Sequence, residues 1–412
     1  MSSVNFLEKL LDGVALQWKP LGELANLITK GTTPKSYSDS GVNYIKVENI
    51  INSSISLEKK VFISKDTHEN ELKRSIIELD DILFSIAGSI GRCAIASKEI
   101  LPANINQAIA IIRLKKNINL NIKYIFYILQ SKSMFEYIEK FNKTSAQPNL
   151  NLKQVSDFSI PIPCPDNPKK SLEIQAEIVR ILDAMTAHTA ELTAELTAEL
   201  TARKKQYNYY RDKLLSFEDG EVEWKMLGEI AEYSKSRISF DRINEDNYVG
   251  VDNLLQNRAG KTKSNYTPTS GNLTEFRAGD ILIGNIRPYL KKIWHSDRIG
   301  GTNGDVLVIR STHENINSRY LYQVLADDNF FEYDMQHAKG AKMPRGNKDE
   351  ILKYRIPLPS LSEQARIVAI LDKFDALTTS ITEGLPREIE LRQKQYAYYR
   401  DLLLSFPQAQ AA

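Results

Sequence analysis

Thr189-Ala190-Glu191-Leu192-Thr193-Ala194-Glu195-Leu196-Thr197-Ala198-Glu199-Leu200 is one four-residue unit written three times without a break. Apart from its threonine, each unit is built of good helix formers and the tract holds no Gly or Pro, so continuous α-helix is predicted. Four residues carry a helix through one turn plus roughly 40° and advance it by about 6 Å. Leu192, Leu196 and Leu200 therefore form a slowly drifting apolar ridge. It continues upstream through Ile174, Ile178, Ile181, Leu182 and Met185, and downstream through Tyr207, Tyr210 and Leu214, at the spacing of three or four that a partner helix requires. A helical arm from Ser171 to Ser216 is expected, about 70 Å long at roughly 1.5 Å per residue. Such an arm is a spacer; a low-complexity surface helix is the plainer alternative.

The borders of this tract occur twice. Gln175-Ala176-Glu177-Ile178-Val179-Arg180-Ile181-Leu182-Asp183 returns as Gln364-Ala365-Arg366-Ile367-Val368-Ala369-Ile370-Leu371-Asp372, and Lys205-Gln206-Tyr207-Asn208-Tyr209-Tyr210-Arg211-Asp212 as Lys394-Gln395-Tyr396-Ala397-Tyr398-Tyr399-Arg400-Asp401, both at an offset of 189 residues. At that offset the three leucines fall on Ile381, Leu385 and Ile389, so the ridge survives where the tandem unit does not. Gly384 and Pro386 should kink or interrupt the second arm. Ile160-Pro161-Ile162-Pro163 and Ile356-Pro357-Leu358-Pro359 precede the two arms, and Trp18-Lys19-Pro20-Leu21-Gly22-Glu23 and Trp224-Lys225-Met226-Leu227-Gly228-Glu229 open the two intervening units. Phe6 to Leu11 resembles Tyr210 to Leu215, the end of an arm.

The units share an order of elements. Strand-like runs at Tyr44–Val47, Ile82–Ile86 and Ala108–Leu114, then a helix near 122–130, are matched by Tyr248–Val251, Asp280–Ile283 and Asp305–Ile309, then a helix near 318–326. The expected class is α+β: two pseudo-twofold-related mixed α+β domains separated by two long antiparallel helices in a circular repeat. The boundaries follow: an end-of-repeat helix at 1–17, one domain at 18–165, the central arm at 166–217, a second domain at 218–360, a distal arm at 361–406 and a disordered tail at 407–412.

The chain has 412 residues, 26% of them charged, and a net charge of only +2, which neither demands nor excludes nucleic acid because charge can be concentrated locally. No apolar run approaches the ~20 residues of a membrane span, and the N-terminal residues lack the apolar core of a signal peptide, so cytosol is the expectation. Cys93, Cys164 and five scattered histidines offer no metal-ligand spacing. No Asn/Asp-Pro-Pro-aromatic methyltransferase motif appears, nor a Gly-x-Gly-x-x-Gly before a helix. Pro165-Asp166 has no Glu-x-Lys partner of a nuclease.

Two variable units, each closed by a helical arm with the tandem Thr-Ala-Glu-Leu tract in the central one, resemble the specificity subunit of Type I restriction-modification enzymes, most closely the IC subfamily. The resemblance spans essentially the whole chain. It implies a non-catalytic DNA-binding subunit, each unit being a target-recognition domain for one half of a bipartite double-stranded site. It also implies arms that set the half-site separation and dock two modification subunits, which two restriction subunits then join. This chain would bind no cofactor or metal; S-adenosylmethionine, ATP and magnesium would serve those partners. One added four-residue unit rotates the arm by roughly 40°, close to the roughly 34–36° of one base pair, although its ~6 Å rise exceeds the ~3.4 Å step. A coiled-coil scaffold that binds proteins is the rival from another class, and a self-contained enzyme the third.

Base edges are read by Arg, Lys, Asn and Gln with Ser and Thr assisting, and phosphates by basic and backbone donors. In the first domain these types cluster at Thr32, Thr33 and Lys35; at Ser85, Ser89 and Arg92; at Asn104, Asn106 and Gln107; and at Gln147 and Asn149. In the second they cluster at Asn285, Arg287, Tyr289, Lys291 and Lys292; at Thr302 and Asn303; and in a Gly-punctuated basic loop with Lys339, Lys342 and Arg345. Each can also be read as a solvated loop, and the glycines as turn residues.

Overall fold

The computed structural model describes residues 6–11, 13–116, 118–142, 149–218, 220–380 and 383–407. The chain divides into two compact units, residues 1–190 with 394–412, and residues 191–393. The tandem tract is helical, inside one uninterrupted helix from Pro168 to Leu215. Its start and end fall within three residues of the limits read from the ridge.

Unit one is built on a four-stranded antiparallel sheet ordered Ala25–Lys30, Ile109–Leu114, Ile82–Ser85, Cys93–Ile95. Unit two repeats it as Ala231–Tyr233, Val306–Ser311, Ile281–Gly284, Ile293–His295. Each unit has a second sheet holding one parallel pair, Val42–Ile45 with Ala103–Ile105 in unit one and Tyr248–Val249 with Gly300–Thr302 in unit two. A two-stranded ribbon closes each unit, pairing Trp18 with Pro161 and Trp224 with Pro357. Side-chain contacts repeat with the backbone. Tyr124 Oη donates to the Pro161 carbonyl at 2.7 Å, as Tyr320 Oη does to Pro357 at 3.1 Å. Tyr137 Oη donates to the Gln154 carbonyl at 2.7 Å, as Tyr333 Oη does to Glu350 at 3.1 Å.

Both Asp-Ile-Leu strands begin on a buried carboxylate. Asp81 accepts two hydrogen bonds from Arg113, at 2.8 and 2.7 Å, and Asp280 accepts two from Arg310, at 2.9 and 2.7 Å. Bidentate pairing with a half-buried arginine offsets the desolvation of each buried carboxylate.

The arms are welded to the units at their N-terminal turns. Gln175, fully buried, accepts the Asn121 N–H at 2.9 Å and donates to Asn119 O and Ser171 Oγ. Gln364, equally buried, accepts the Asn317 N–H at 2.8 Å and donates to Asn315 O and Pro359 O. Ile174, Ile178 and Leu182 lie in the unit-one core, and Ile367 and Leu371 in that of unit two. The upstream part of the ridge is therefore domain core rather than a face for a partner helix, while Leu192, Leu196 and Leu200 are half-buried.

The second arm is two helices, Leu361–Thr378 and Gly384–Leu403. Gly384 adopts a left-handed φ of +76°, and a Cβ there would stand 2.4 Å from the Ala376 carbonyl oxygen, so the break requires glycine. Pro386 sits in the first turn of the second helix, where its missing N–H costs nothing. Leu385 and Ile389 are half-buried on it; Ile381 lies outside the described residues. Pro407, expected from the sequence to belong to the tail, accepts the Trp18 indole N–H at 3.2 Å, and residues 408–412 lie outside the described residues.

Replacing Asp81 or Asp280 with Ala takes two charged hydrogen bonds from a half-buried guanidinium that keeps other partners, and should lower the unfolding free energy by roughly 2 kcal/mol. Urea denaturation of the chain tests this; a loss below about 1 kcal/mol would place the pairs in the class of exposed ion pairs.

Candidate nucleic-acid interface

In each unit two loops are zipped together beyond the Asp-Ile-Leu strand. In unit two Arg345 bridges Ile286, Arg287 N–H donates to Pro344 O at 2.7 Å, and Gly346 N–H to Asn285 O at 3.2 Å. In unit one Asn149 bridges Ala87, and Leu150 N–H donates to Ile86 O at 2.8 Å. The shared backbone pattern places different side chains on equivalent supports.

Unit two presents a basic, Gly-punctuated surface there. Lys339 and Arg345 exchange backbone hydrogen bonds at 2.9 Å each way, closing a turn that Gly340 enters at φ +96°. Lys339, Lys342 and Arg345 project from it as exposed side chains. Among the described residues Asp305 holds Arg345 at one edge, at 3.1 Å, and the guanidinium side chain is otherwise largely exposed. Across the zipper, Arg287 and Lys291 both take left-handed backbone conformations, at φ +54° and +50°, around a tight turn that carries exposed Tyr289. Lys291 turns back to Asp328 at 2.7 Å, and so does Arg258.

Unit one offers a more neutral surface. Thr33 Oγ1 donates to Gln107 Oε1 at 2.8 Å, bringing two exposed candidates together, while Tyr44 Oη donates to the Thr32 carbonyl. Lys35 and Ser89 are exposed; Asn106 is half-buried, its Oδ1 accepting the Ala108 N–H. Arg92 reaches back to the carbonyls of Val47 and Ile50. Gln147 lies outside the described residues, whereas Asn149 is exposed on the zipper.

Four candidates are structural instead. Ser85 is fully buried, its Oγ donating to Ser89 O at 2.6 Å and accepting Arg92 N–H at 2.8 Å, so it holds the turn from within. Asn104 is fully buried in a strand and bonded to Leu72 O and Ser75 Oγ. Thr302 is fully buried with its hydroxyl on the Val249 carbonyl; Gly300 and Gly301 before it form a strand, not a loop, and a Cβ on Gly300 would stand 2.1 Å from Asn247 O. Lys292 is buried with its ammonium on the Val251 carbonyl, and burial depresses its pKa. Neighbouring Asn303 spends its Oδ1 on the Asp305 N–H. The structure adds two exposed aromatics to the candidates, Tyr37, with Lys46 over its ring at 5.5 Å, and Tyr266 in unit two; an aromatic near cationic residues in the sequence is the signal that could have suggested them.

Asn285 is buried at the base of the unit-two zipper, and behind it Asp334 is 1% exposed, with burial pushing its carboxyl up to about 6. Among the described residues there is no group of three or more His, Cys, Asp or Glu able to hold a metal ion, and no helix is long and apolar enough to cross a membrane.

A family model described as the Type I restriction modification DNA specificity domain matches residues 15–202 and 220–391. The Type I restriction enzyme EcoR124I/EcoR124II specificity subunit of Escherichia coli is 38% identical over 427 residues, covering 99% of this chain and 98% of that protein. The EcoprrI specificity subunit, also of Escherichia coli, is 33% identical over 410 residues, with 93% of each chain covered. In fold the chain resembles a solved structure titled as the basis of complex assembly and conformational transition of the type I R-M system, with a TM-score of 0.60 at 16% identity, covering 95% of this chain and 96% of that one. With both units matched by the family model and relatives aligned over nearly their whole length, the chain belongs to the Type I restriction-modification specificity-subunit family.

Proposed function

We propose that this non-catalytic subunit reads a bipartite duplex, each α+β unit taking one half-site through its zipped loops, with the helical arms fixing the spacer and docking two modification subunits. Two restriction subunits complete the complex, and S-adenosylmethionine, ATP and magnesium act on those partners rather than here. The observation that carries this reading is the pairing of one strand order, repeated in both units, with unlike side chains on equivalent loops. Two readers with a common frame and different targets have that form. The exposed Lys339, Lys342 and Arg345 supply phosphate and base-edge donors in unit two, and Thr33, Gln107, Ser89 and Asn149 supply polar ones in unit one.

The arm supports a spacer role because its three tandem units lie inside one helix without a cap, kink or glycine. Adding or removing one unit changes angular register by roughly 40°, about one base-pair step.

Two outcomes are expected of the chain assembled with its modification subunits. Arg345→Ala weakens binding to its cognate duplex by roughly 1–3 kcal/mol if the guanidinium meets a base edge; wild-type affinity in a titration removes it from the interface. Deleting Thr197–Leu200 shortens the preferred spacer by about one base pair and leaves both half-sites unaltered, as read from the methylated motif in genomic DNA. An unchanged spacer refutes the register argument.

A further inference from the structure

The equivalent places beneath the two zippers are filled in opposite ways. Asn285 follows the unit-two strand Ile281–Gly284 as Ile86 follows Ile82–Ser85 in unit one. Asp334 follows Tyr333 as Ile138 follows Tyr137, the tyrosines making the same carbonyl contact. Gly346 donates to the Asn285 carbonyl as Leu150 does to that of Ile86. Unit one thus packs Ile86, Ile138 and Leu150 into its hydrophobic core. Unit two has Asn285, Asp334 and a glycine there. Three apolar side chains of one unit are matched by two polar ones and a glycine in the other.

The polar pair is unsatisfied as it stands. Among the described residues, none partners either carboxylate oxygen of Asp334 or Oδ1 of Asn285, all three of which are buried. They converge where Gly346 lacks a side chain: a Cβ at that position would stand 2.4 Å from Asp334 Oδ1 and 2.8 Å from Asn285 Oδ1. Gly346 is needed to leave that space. Stranding a buried acceptor is unfavourable, and more so when it carries a charge. Packing alone is better served by the aliphatic trio of unit one.

An amide's two ends are nearly isosteric, and its partners decide which end faces which way. Only the nitrogen can satisfy a carboxylate. With Nδ2 turned to Asp334, the amide oxygen is left to face the cavity in front of it, about 790 Å³ and lined also by Lys339, Met343, Arg345 and Gly346. That cavity opens among the basic side chains of the unit-two loop. A fixed acceptor at its base selects a donor.

We propose that Asn285 is a specificity-determining residue of unit two, its amide oxygen accepting from the exocyclic amino group of an adenine or cytosine, and that Asp334 is the positioning residue that holds the amide in that orientation. Adenine N6 and cytosine N4 are the amino donors of the major-groove edge, whereas guanine O6 and thymine O4 are acceptors that a fixed amide oxygen repels. Unit one, with Ile86 and Ile138 at these places, has no counterpart and reads its half-site by other groups. The inference rests on the reading of unit two as a DNA-binding domain.

Enrichment of random-sequence duplexes by the full chain with its modification subunits, followed by deep sequencing, tests it. The wild type should yield a bipartite motif with adenine or cytosine at one position of the unit-two half-site. Asp334→Asn, nearly isosteric, frees the amide to turn, and preference at that position should fall roughly tenfold, with guanine or thymine now accepted. Asn285→Ala should lose preference at the same position, and the unit-one half-site should stay as it was. An unchanged motif in Asp334→Asn, or relaxation at a different position from that of Asn285→Ala, overturns the proposal while leaving the domain a DNA reader. Absence of any unit-two motif from the wild type overturns the functional reading itself.

Discussion

A buried glutamine amide in the first turns of each arm is the constraint on which the architecture turns. Gln175 and Gln364 place acceptor and donor ends on the chain just ahead of the helices that begin at Ile122 and Ser318, with no exposure to water. Inside a low-dielectric core such an amide has one satisfactory orientation, and any slippage of the helix strands its polar ends. Lys123 with Asp183, and Arg319 with Asp372, add charged pairs two turns further on. Rotation of an arm about its axis must therefore carry that unit's own loops with it. A helix merely resting on an apolar surface could roll; one held by a buried amide cannot.

The same economy explains why the frames agree and the loops do not. The bidentate Asp–Arg pairs, the tyrosine contacts to the ribbon carbonyls and the glutamine clasps all recur, because each satisfies groups that folding has taken out of water. The zipped loops need only their backbone bonds to persist, so their side chains are at liberty to differ. Arg345 stands where unit one has Asn149, and Gly346 where it has Leu150. On the zipper, divergence falls where the backbone supplies the support.

Much of the frame was legible beforehand. Apolar periodicity located the helix Pro168–Leu215 closely, since a 3.6-residue period sustained over a dozen turns has no other physical reading. The Asp-Ile-Leu strands and the helices after them were found for similar reasons. The short strands Ala103–Ile105 and Gly300–Thr302 were not, because two glycines and an asparagine read as loop until the crowding around them is seen. Candidate contacts fared unevenly for a related reason. Polar residues that cap turns or bond strand carbonyls, such as Ser85, Asn104 and Thr302, are of the same types that read bases. Lys292 was missed as a buried side chain because a lysine stem packs as well as it extends. Asn285, Asp334 and Gly346 could be joined only by the fold, being 49 and 12 positions apart along the chain.

The core of unit one places Leu7 with Leu403, Leu404 and Phe406, and Trp18 bonds Pro407 across 389 positions. Its first strand leaves the ribosome long before its last packing partners exist. That domain consequently waits with part of its apolar interior open while unit two is synthesised, and it reaches its final form only after translation has passed Phe406. Damage to residues near 403–407 is accordingly felt in the half of the protein made first.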